Sequence, residues 1–294
     1  QCLADATEQM VESREVAGGG GRHSYFRCKS CDVRYLWPRL NPQEERDFYR
    51  DEFASFMQTR DGSHNQPLSP HSHRERNEAL RVERMRQLGP YLPTSGSILE
   101  VGCASGFMLL PLMESGIDCM AVEPSGLFNE DLNARGLPTY ESIDALKSAE
   151  DRTFSLIFHY FVLEHVGNPE EFLRTQIELM APGGHLLFEV PCGNDALLDI
   201  YDLNTFRDFY FQVGHQWVFT PSSLDYVLSR LDVPYSISTR QRYGLANHLT
   251  WARHGRPGGD ESLHATLGVD LDEQYKERLV TIGHADTLIG VIST

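Results

Sequence analysis

The feature that most constrains the fold is a loop of small residues that follows an apolar segment. Ile98 to Val101 is apolar apart from Glu100, and the next five residues are small: Gly102, Cys103, Ala104, Ser105 and Gly106. A buried strand that runs into such a loop and then into a helix lets backbone N–H groups come close to a ligand. The segment therefore predicts a strand–loop–helix unit that binds a nucleoside cofactor.

The spacing of the small residues distinguishes two kinds of cofactor. A dinucleotide loop has the pattern Gly-x-Gly-x-x-Gly, whereas here Phe107 occupies the third glycine position, where its bulk obstructs close helix–strand packing. Glu123 ends the next apolar run, 17 residues after Gly106, where a carboxylate can accept hydrogen bonds from both ribose hydroxyls. Either nucleoside cofactor would use this acid. The simpler alternative is that Glu100 and Glu123 are solvated carboxylates at strand ends.

Apolar runs alternate with helical patterns beyond this loop, which is typical of a parallel sheet covered by helices on both faces. We predict strands at 97–102, 117–123, 154–160, 185–191 and 287–292. We predict helices at 75–88, 107–115, 126–135, 169–180 and 221–231. The expected fold is α/β, a doubly wound and mostly parallel sheet of about seven strands.

The excess of acidic over basic residues indicates which kinds of partner this chain can bind. The 294 residues include 42 acidic and 26 basic side chains, a formal net charge of −16, and the excess lies after residue 95. Phosphate-binding surfaces are usually basic, so this balance argues against a nucleic-acid partner. The sequence shows no apolar run of about 18 residues and no secretory signal, so we expect a cytoplasmic protein without a membrane partner. The oligomeric state stays open.

The cysteines indicate a metal or redox site near the N-terminus. Cys28 and Cys31 have the spacing Cys-x-x-Cys, which in a reducing compartment favours such a site over a disulfide. A structural zinc site needs four ligands, and Cys2 is the one cysteine upstream. His23 or a cysteine before Gln1 would supply a further ligand. Two buried thiols without a metal are the alternative.

Four segments together resemble the class I methyltransferases, which use S-adenosylmethionine, and the resemblance runs from about residue 75 to the C-terminus. The segments are EVGCASG at 100–106, VEPS at 122–125, FSLIFHYFVLEHV at 154–166 and LMAPGGHL at 179–186. The family's middle loop glycine is Ala104 here. The cofactor-binding residues that the resemblance implies are Glu100, Gly102, Ala104, Gly106, Glu123, Pro124, His159 and Tyr160. Among these, Glu123 would hold the ribose, and His159 and Tyr160 would approach the sulfonium.

The cysteine pair resembles the second knuckle of a zinc ribbon that some bacterial small-molecule and sugar methyltransferases carry. This resemblance implies a structural zinc with Cys2, Cys28 and Cys31 as ligands. We accordingly expect a zinc-ribbon-like segment and a helix at 1–60, a linker and lid helix at 61–96, and the class I methyltransferase domain at 97–294. The implied reaction is methyl transfer to carbon or oxygen of a small metabolite, such as a natural-product intermediate or a nucleotide sugar.

Candidate catalytic residues are histidines. His215 lies in an aromatic segment, 206–219, beyond the fifth strand, where an open α/β sheet receives its substrate. In sugar C-methyltransferases a histidine in a comparable segment is the base, and His215 is the position that matches. His165 and His159 are the other candidates. A packed, hydrogen-bonded histidine is the alternative for His215.

Two arginines are candidates for binding an anionic acceptor. Arg240 and Arg242 follow the region of the penultimate strand and could meet a phosphate or carboxylate. They could equally be ion-pair partners within an acidic domain. Two further functions remain open: a nicotinamide-dependent oxidoreductase, and a non-catalytic protein with the cofactor fold that docks a partner through its zinc knuckle.

Overall fold

The computed structural model describes residues 4–47, 69–259, 265–266 and 268–294. The strands in these residues are β1 (Gln9–Ser13), β2 (Ser24–Cys28), β3 (Arg34–Trp37), β4 (Ser97–Val101), β5 (Asp118–Val122), β6 (Thr139–Tyr140), β7 (Phe154–Tyr160), β8 (Met180–Pro191), β9 (Trp217–Val218), β10 (Tyr235–Arg240) and β11 (Thr287–Ser293). The α-helices are α1 (Pro42–Asp47), α2 (Pro70–Arg76), α3 (Glu78–Leu88), α4 (Leu109–Glu114), α5 (Asn129–Ala134), α6 (Ile143–Ala149), α7 (Pro169–Glu178), α8 (Ala196–Asp199), α9 (Asn204–Tyr210), α10 (Pro221–Leu228), α11 (Leu245–His254) and α12 (Val269–Thr281).

The main sheet has seven strands in the order β10-β11-β8-β7-β4-β5-β6. Strands β4 to β8 are parallel, and β11 runs antiparallel to both β8 and β10. The chain moves outward from β4 through β5 to β6 and then returns to the other side of β4 with β7. The strand order therefore reverses between β4 and β7, the place where open α/β sheets bind their ligands. The predicted fold class is confirmed.

Alternation along the strands builds a core on each face of this sheet. On β4, Leu99 joins a buried cluster that includes Leu173 of α7, whereas its neighbour Ile98 joins a second cluster with Leu109 of α4. Successive strand residues point to opposite faces, so both faces of β4 must be apolar. Each such aliphatic side chain contributes roughly 1.5–3 kcal/mol when it is fully buried.

Most predicted elements are present, and one predicted helix is divided in two. Helix α7 begins as expected, because the side chain of Asn168 accepts a hydrogen bond from the amide of Glu171 and Pro169 fills the first turn. The predicted helix at 75–88 is instead two helices, α2 and α3, which meet at Asn77. The amide side chain of Asn77 donates to the carbonyl of His73 at 2.8 Å, in place of a continuous helical turn.

A second, four-stranded sheet has the order β1-β2-β3-β9, and the cysteine pair lies where β2 turns into β3. We call residues 9–37 the N-terminal ribbon. The predicted end of the N-terminal segment near residue 60 and the ligand candidate Cys2 lie outside the described residues, and the domain boundaries stay predictions. Among the residues that are described, no helix has the length and apolarity needed to span a membrane.

Candidate active site

The loop between β4 and α4 needs residues that tolerate a left-handed backbone. Gly102, Ala104 and Gly106 have φ values of 76°, 47° and 71°. A Cβ atom on Gly102 would lie 2.7 Å from a methyl group of Val162, so only glycine fits there. Ala104 adopts the same conformation with a side chain, which costs roughly 1–2 kcal/mol. The loop therefore passes close to the segment that follows β7, and its first amide, that of Gly102, donates to the carbonyl of Val122 on β5 at 2.7 Å.

Glu123, directly after β5, is tied to the same loop. Its Oε2 accepts a hydrogen bond from the amide of Ala104 at 2.7 Å, and its Oε1 accepts one from the amide of Ser125 at 2.9 Å, across Pro124. The side chain of Asn129 donates to the carbonyl of Glu123 at 3.1 Å. Each carboxylate oxygen has a second lone pair, so Glu123 can hold the loop and still accept ribose hydroxyls. The prediction that it binds the ribose stays a prediction.

Glu100 provides a test of whether a cofactor fits. The side chain is fully buried in β4, and Oε2 has no hydrogen-bond partner among the described residues. Burial raises the pKa of Glu100 well above its ordinary value, opposed by the charge of Arg84 on α3. A buried carboxyl oxygen without a donor, next to a glycine loop, suits a ligand that brings a donor or positive charge. The ammonium of the methionine portion of S-adenosylmethionine is such a group.

Tyr160 and His159 point to opposite faces of β7. The ring of Tyr160 lies under the guanidinium of Arg84, 3.8 Å from ring centroid to Cζ, on the face where Glu100 interacts with the same arginine. His159 is fully buried and stacks on Phe188 with ring centroids 5.1 Å apart. Burial lowers the pKa of His159 to about 3. The structure therefore does not bring His159 to the site, because adjacent strand residues alternate between faces.

A cavity of about 780 Å³ opens at the carboxyl ends of β7 and β8. Its apolar wall is aromatic: Phe161, Phe206, Phe209, Tyr210 and Trp251. Its polar groups are Asp195, His215, Arg242, Asn247, Asp272 and Asp286. Phe161 directly follows β7 and lies 5.8 Å from the guanidinium of Arg84, so the cavity adjoins the glycine-loop region. This volume is typical of a small-molecule site.

His215 lines the cavity and is in contact with a second histidine. The rings of His165 and His215 meet edge to face, with centroids 4.9 Å apart. Nδ1 of His165 lies 2.7 Å from the carbonyl oxygen of Gly214 and must therefore donate to it. In the neutral ring, Nε2 of His165 then carries the lone pair. The side-chain amide of Gln212 is 2.7 Å from Nε2 of His215 and fixes that ring in turn.

Glu164 is the third member of this cluster. It is fully buried, and neither carboxyl oxygen has a hydrogen-bond partner among the residues described. Oε1 lies 3.9 Å from Nε2 of His165, and burial raises the pKa of Glu164 to about 8. Glu164, His165 and His215 each offer one ligand atom within 4.8 Å of the others. Ligands of a closed tetrahedral zinc at about 2.1 Å lie roughly 3.4 Å apart, so the cluster as it stands is better suited to exchanging a proton.

The two candidate arginines have different environments. Nη1 of Arg240 lies 2.8 Å from Oε1 of the buried Glu189, so Arg240 is an ion-pair partner inside the domain. The side chain of Arg242 is 23% exposed, lines the cavity and lies over the ring of Phe161 with Cζ 4.3 Å from its centroid. The backbone amide of Arg242 donates to Asp286, which fixes the start of the loop. Nε of Arg242 also lies 3.9 Å from Oδ1 of Asp286, so Arg242 is the arginine that lines the cavity and it is paired with a carboxylate there.

Four carboxyl groups of the site were not predicted from sequence, and one of them is Asp272 on α12. Asp195 follows β8, Asp286 precedes β11, and Glu164 stands beside His165. One oxygen of Asp195 caps α8 by accepting from the amide of Leu197 at 2.7 Å. Burial and the neighbouring charge of Asp286 raise the pKa of Asp195 to about 8. The signal that could have found Asp195 is an acidic residue just beyond the carboxyl end of a buried strand.

The cysteine pair lies at the turn between β2 and β3. Cys28 is buried and Cys31 is half-buried. The amide of Asp32 donates to the carbonyl of Cys28 at 2.8 Å, which closes a tight knuckle around both thiols. His23, the other ligand candidate, is buried with Nδ1 directed at the carbonyl of Pro38, 2.6 Å away. The zinc ligands remain a prediction, since Cys2 is outside the described residues.

Known proteins with this architecture are methyltransferases. The structure matches an S-adenosylmethionine-dependent methyltransferase from Archaeoglobus fulgidus with a TM-score of 0.51 and 18% identity, over 83% of this chain and 100% of that one. It matches the plantazolicin methyltransferase BamL, solved with S-adenosylhomocysteine and a desmethyl substrate analogue, with a TM-score of 0.52 and 12% identity, over 85% and 94% of the chains. These likenesses define the fold class.

The family model of the methyltransferase domain matches residues 72–232, more than half of the sequence, and the chain belongs to this family. This confirms the expected enzyme class, an S-adenosylmethionine-dependent methyltransferase, over the oxidoreductase alternative. A ubiquinone biosynthesis O-methyltransferase of Rhizobium etli is 30% identical over 30% of this chain and 38% of its own length. A tRNA U34 carboxymethyltransferase of Azotobacter vinelandii is 28% identical over 47% and 45%. The matches thus span less than half of these relatives.

Proposed function

We propose that this methyltransferase transfers the methyl group of S-adenosylmethionine to oxygen or carbon of a small anionic metabolite bound in the aromatic cavity, with His215 as general base. The observation that carries the proposal is that His215, Arg242 and Phe161 line one cavity at the carboxyl ends of β7 and β8, next to the point between β4 and β7 where the strand order reverses. The base, the cation and the edge of the cofactor region thus share one small space.

When bound, S-adenosylmethionine supplies an activated methyl group on a sulfonium. The chain then has to hold the acceptor in line and remove its proton. Arg242 binds an anionic group of the acceptor, and the aromatic wall excludes water around it. His215 accepts the proton from the acceptor hydroxyl or acidic carbon at Nε2, where the acceptor takes the place of the Gln212 amide. His165 packs edge to face against the His215 ring and holds it in place, with the buried Glu164 3.9 Å from Nε2 of His165.

The similarity to a tRNA-modifying enzyme raises a second candidate, a tRNA acceptor. Three observations favour a metabolite instead. The formal charge of −16 opposes binding of a polyphosphate backbone, and Arg242 is the one arginine or lysine among the described residues that line the cavity. The cavity volume of about 780 Å³ also suits a single metabolite of up to nucleotide-sugar size.

The test of this proposal is methyl transfer from radiolabelled S-adenosylmethionine to panels of carboxylated and phosphorylated metabolites. General-base catalysis is worth about 10²–10⁴ in rate, so His215→Ala should lower turnover by that order and leave cofactor affinity within twofold. His185→Ala is the control, because His185 lies on β8 against Ser293 and does not line the cavity. Arg242→Gln should raise the KM for the acceptor about tenfold or more.

The alternatives predict other results. A His215→Ala variant that keeps more than about a third of parental turnover would transfer the role of base to another residue, with His165→Ala as the next variant. Cofactor binding without turnover on any acceptor would instead support the non-catalytic reading, in which the cofactor fold and the cysteine knuckle serve a docking function.

The proposal includes a structural zinc at the cysteine knuckle, with Cys28, Cys31 and Cys2 among its ligands. What supports it is the tight turn between β2 and β3 that carries both cysteines, with the spacing Cys-x-x-Cys. This metal would stabilise the N-terminal ribbon, and no step of methyl transfer depends on it.

A further inference from the structure

The N-terminal ribbon is hydrogen-bonded directly to the segment that carries His215. Strand β9 belongs by sequence to the catalytic part, but it pairs with β3 of the ribbon, with Arg34 opposite Val218 and Tyr35 opposite Trp217. The amide of Leu36 donates to the carbonyl of Gln216 at 3.0 Å. The ribbon therefore holds the residues that immediately follow His215.

The residues that precede His215 are held as well. The amide of Ala17 donates to the carbonyl of Phe211 at 2.9 Å, and the amide of Val213 donates back to the carbonyl of Ala17 at 2.9 Å. His215 lies between these two attachment points, in a turn closed by its own amide donating to the carbonyl of Gln212 at 3.1 Å. The ribbon thus fixes the catalytic turn, 212–215, on both sides.

Tyr25 of β2 reaches the turn itself. Its side chain is fully buried, and its ring packs on Phe211 with centroids 4.6 Å apart. Its hydroxyl donates to the carbonyl of Gln212 at 3.0 Å and makes a short contact with the carbonyl of His215. One hydroxyl proton is shared between two carbonyls at the ends of one turn, which fixes their separation. The orientation of His215 therefore depends on a residue of the ribbon.

The same turn orients the second histidine. The carbonyl of Gly214 accepts from Nδ1 of His165 at 2.7 Å, and the side chain of Gln212 contacts the ring of His215. A displacement of the turn would consequently change the placement of both imidazoles at once. Small displacements matter at such a site, since catalytic geometry has to be held within about 0.5 Å.

We propose that the N-terminal ribbon completes the acceptor site and that Tyr25 is a positioning residue for His215. This rests on the proposed role of His215 as base. Loss of the Tyr25 hydroxyl should lower kcat about tenfold through the misplaced imidazole, while the cofactor site, built from the loop after β4 and Glu123, keeps its affinity. The ribbon then has a part in catalysis that a separate docking module would not have.

The experiment compares Tyr25→Phe with Tyr35→Phe, which removes a hydroxyl from the neighbouring strand. The Tyr35 hydroxyl bonds Gln9 within the ribbon, at 3.0 Å, and serves as the control. The first readout needs no acceptor: NMR of the histidine Cε1–H signals, with the His215 signal assigned from the His215→Ala variant. The second is hydrogen exchange of the His215 amide. Calorimetry measures S-adenosylmethionine affinity in each variant.

Tyr25→Phe should move the His215 signal and speed exchange of its amide about tenfold, with cofactor affinity within twofold and kcat reduced about tenfold. Equal behaviour of the two variants would overturn the proposal. Should Tyr25→Phe fail to fold, 3-fluorotyrosine placed at position 25 changes the donor strength and keeps the ring; a His215 signal no more affected than by 3-fluorotyrosine at position 35 would also overturn it. The NMR and exchange readouts stand even if His215 proves not to be the base.

Discussion

The amide of Ala104 donates a hydrogen bond of 2.7 Å to Oε2 of Glu123, and this bond joins the loop after β4 to the end of β5. The carboxylate thus has two roles. It holds a strained loop in place, and each of its oxygens keeps a lone pair that can accept a further hydrogen bond, as the proposed ribose contact requires. The loop after β4 and the end of β5 are thus coupled through one side chain.

Replacing Glu123 should therefore affect cofactor binding strongly. Hydrogen bonds to a charged acceptor are worth roughly 1.5–3 kcal/mol each, so Glu123→Ala should weaken S-adenosylmethionine binding at least tenfold in calorimetry. Glu123→Gln keeps one acceptor oxygen and should weaken S-adenosylmethionine binding less than Glu123→Ala does. Equal affinities of the parent and Glu123→Ala would show that this carboxylate does not hold the ribose, and tighter binding of NAD by the parent would contradict the assigned cofactor.

Replacing Ala104, in the loop after β4, with glycine should make the fold more stable. At φ 47° an alanine is strained, so Ala104→Gly should stabilise the fold by about 0.5–1 kcal/mol, after allowance for the extra entropy of glycine in the unfolded chain. The control with the opposite expected effect is Gly102→Ala. Its Cβ would lie 2.7 Å from Val162, so this variant should destabilise the fold and weaken cofactor binding. Urea denaturation of both variants checks the signs. A less stable Ala104→Gly protein would contradict the strain argument.

Asp195 should make stability fall with rising pH. Its pKa is raised to about 8 from an ordinary 3.8, so between these values the native state keeps a proton that the unfolded chain has lost. The free energy of unfolding therefore decreases as pH rises through this interval. Burial lowers the pKa of His159 to about 3 and of His248 to about 4, and this opposite effect ends near pH 6.5. Between pH 6.5 and 8, the change in the free energy of unfolding therefore comes mainly from the buried acids.

Between pH 6.5 and 8, a single acid with these pKa values lowers the free energy of unfolding by about 1.5 kcal/mol. Glu164, with a pKa of about 8, and Glu100, whose pKa burial also raises well above its ordinary value, add slopes of the same sign, so Asp195→Asn should remove about a third of the loss measured by urea denaturation at several pH values. Asparagine keeps an oxygen to accept from Leu197. Asp144→Asn, at an exposed carboxyl of α6, is the control. A slope identical to the parent in Asp195→Asn would show that Asp195 is ionised in the native protein.

The cysteine knuckle should hold one zinc per chain. Elemental analysis of protein purified without chelator should find it, with sulfur distances near 2.3 Å by X-ray absorption. Cys31→Ser should lose the metal, and Cys119→Ser should keep it, because Cys119 is buried in β5. Absence of zinc together with rapid alkylation of Cys28 and Cys31 in the native protein would remove the site.

The proximity of the loop after β4 and Glu123 was predictable because its signals are local. Strand, loop and acid occur in sequence order over residues 98–123, and the backbone conformation at Gly102 depends on residue type. The assignment of His159 failed because a motif places a residue on a strand without fixing the face to which it points. The break at Asn77 was missed, since a side-chain bond to His73 replaces the helical pattern there.

The residues of the proposed acceptor cavity come together only in the tertiary structure. Asp195, Asp286 and Arg242 come from three connections that only the antiparallel pairing of β11 brings together. No local pattern indicates that the Tyr25 hydroxyl reaches the turn of His215, because the two are 190 positions apart in sequence. Sequence indicated His215 through its aromatic neighbours, and its partners became evident with the fold.

Strand β9 has a consequence for how this chain is made. The N-terminal sheet needs a strand from residues 217–218, and Tyr25 finds its acceptor Gln212 187 positions later. Contacts of such large separation form slowly, and during synthesis the first three strands leave the ribosome long before their fourth exists. We expect ribosome-bound chains that end before residue 217 to expose the edge of β3 and to be protease-sensitive there, and longer chains to gain protection together with the turn of His215.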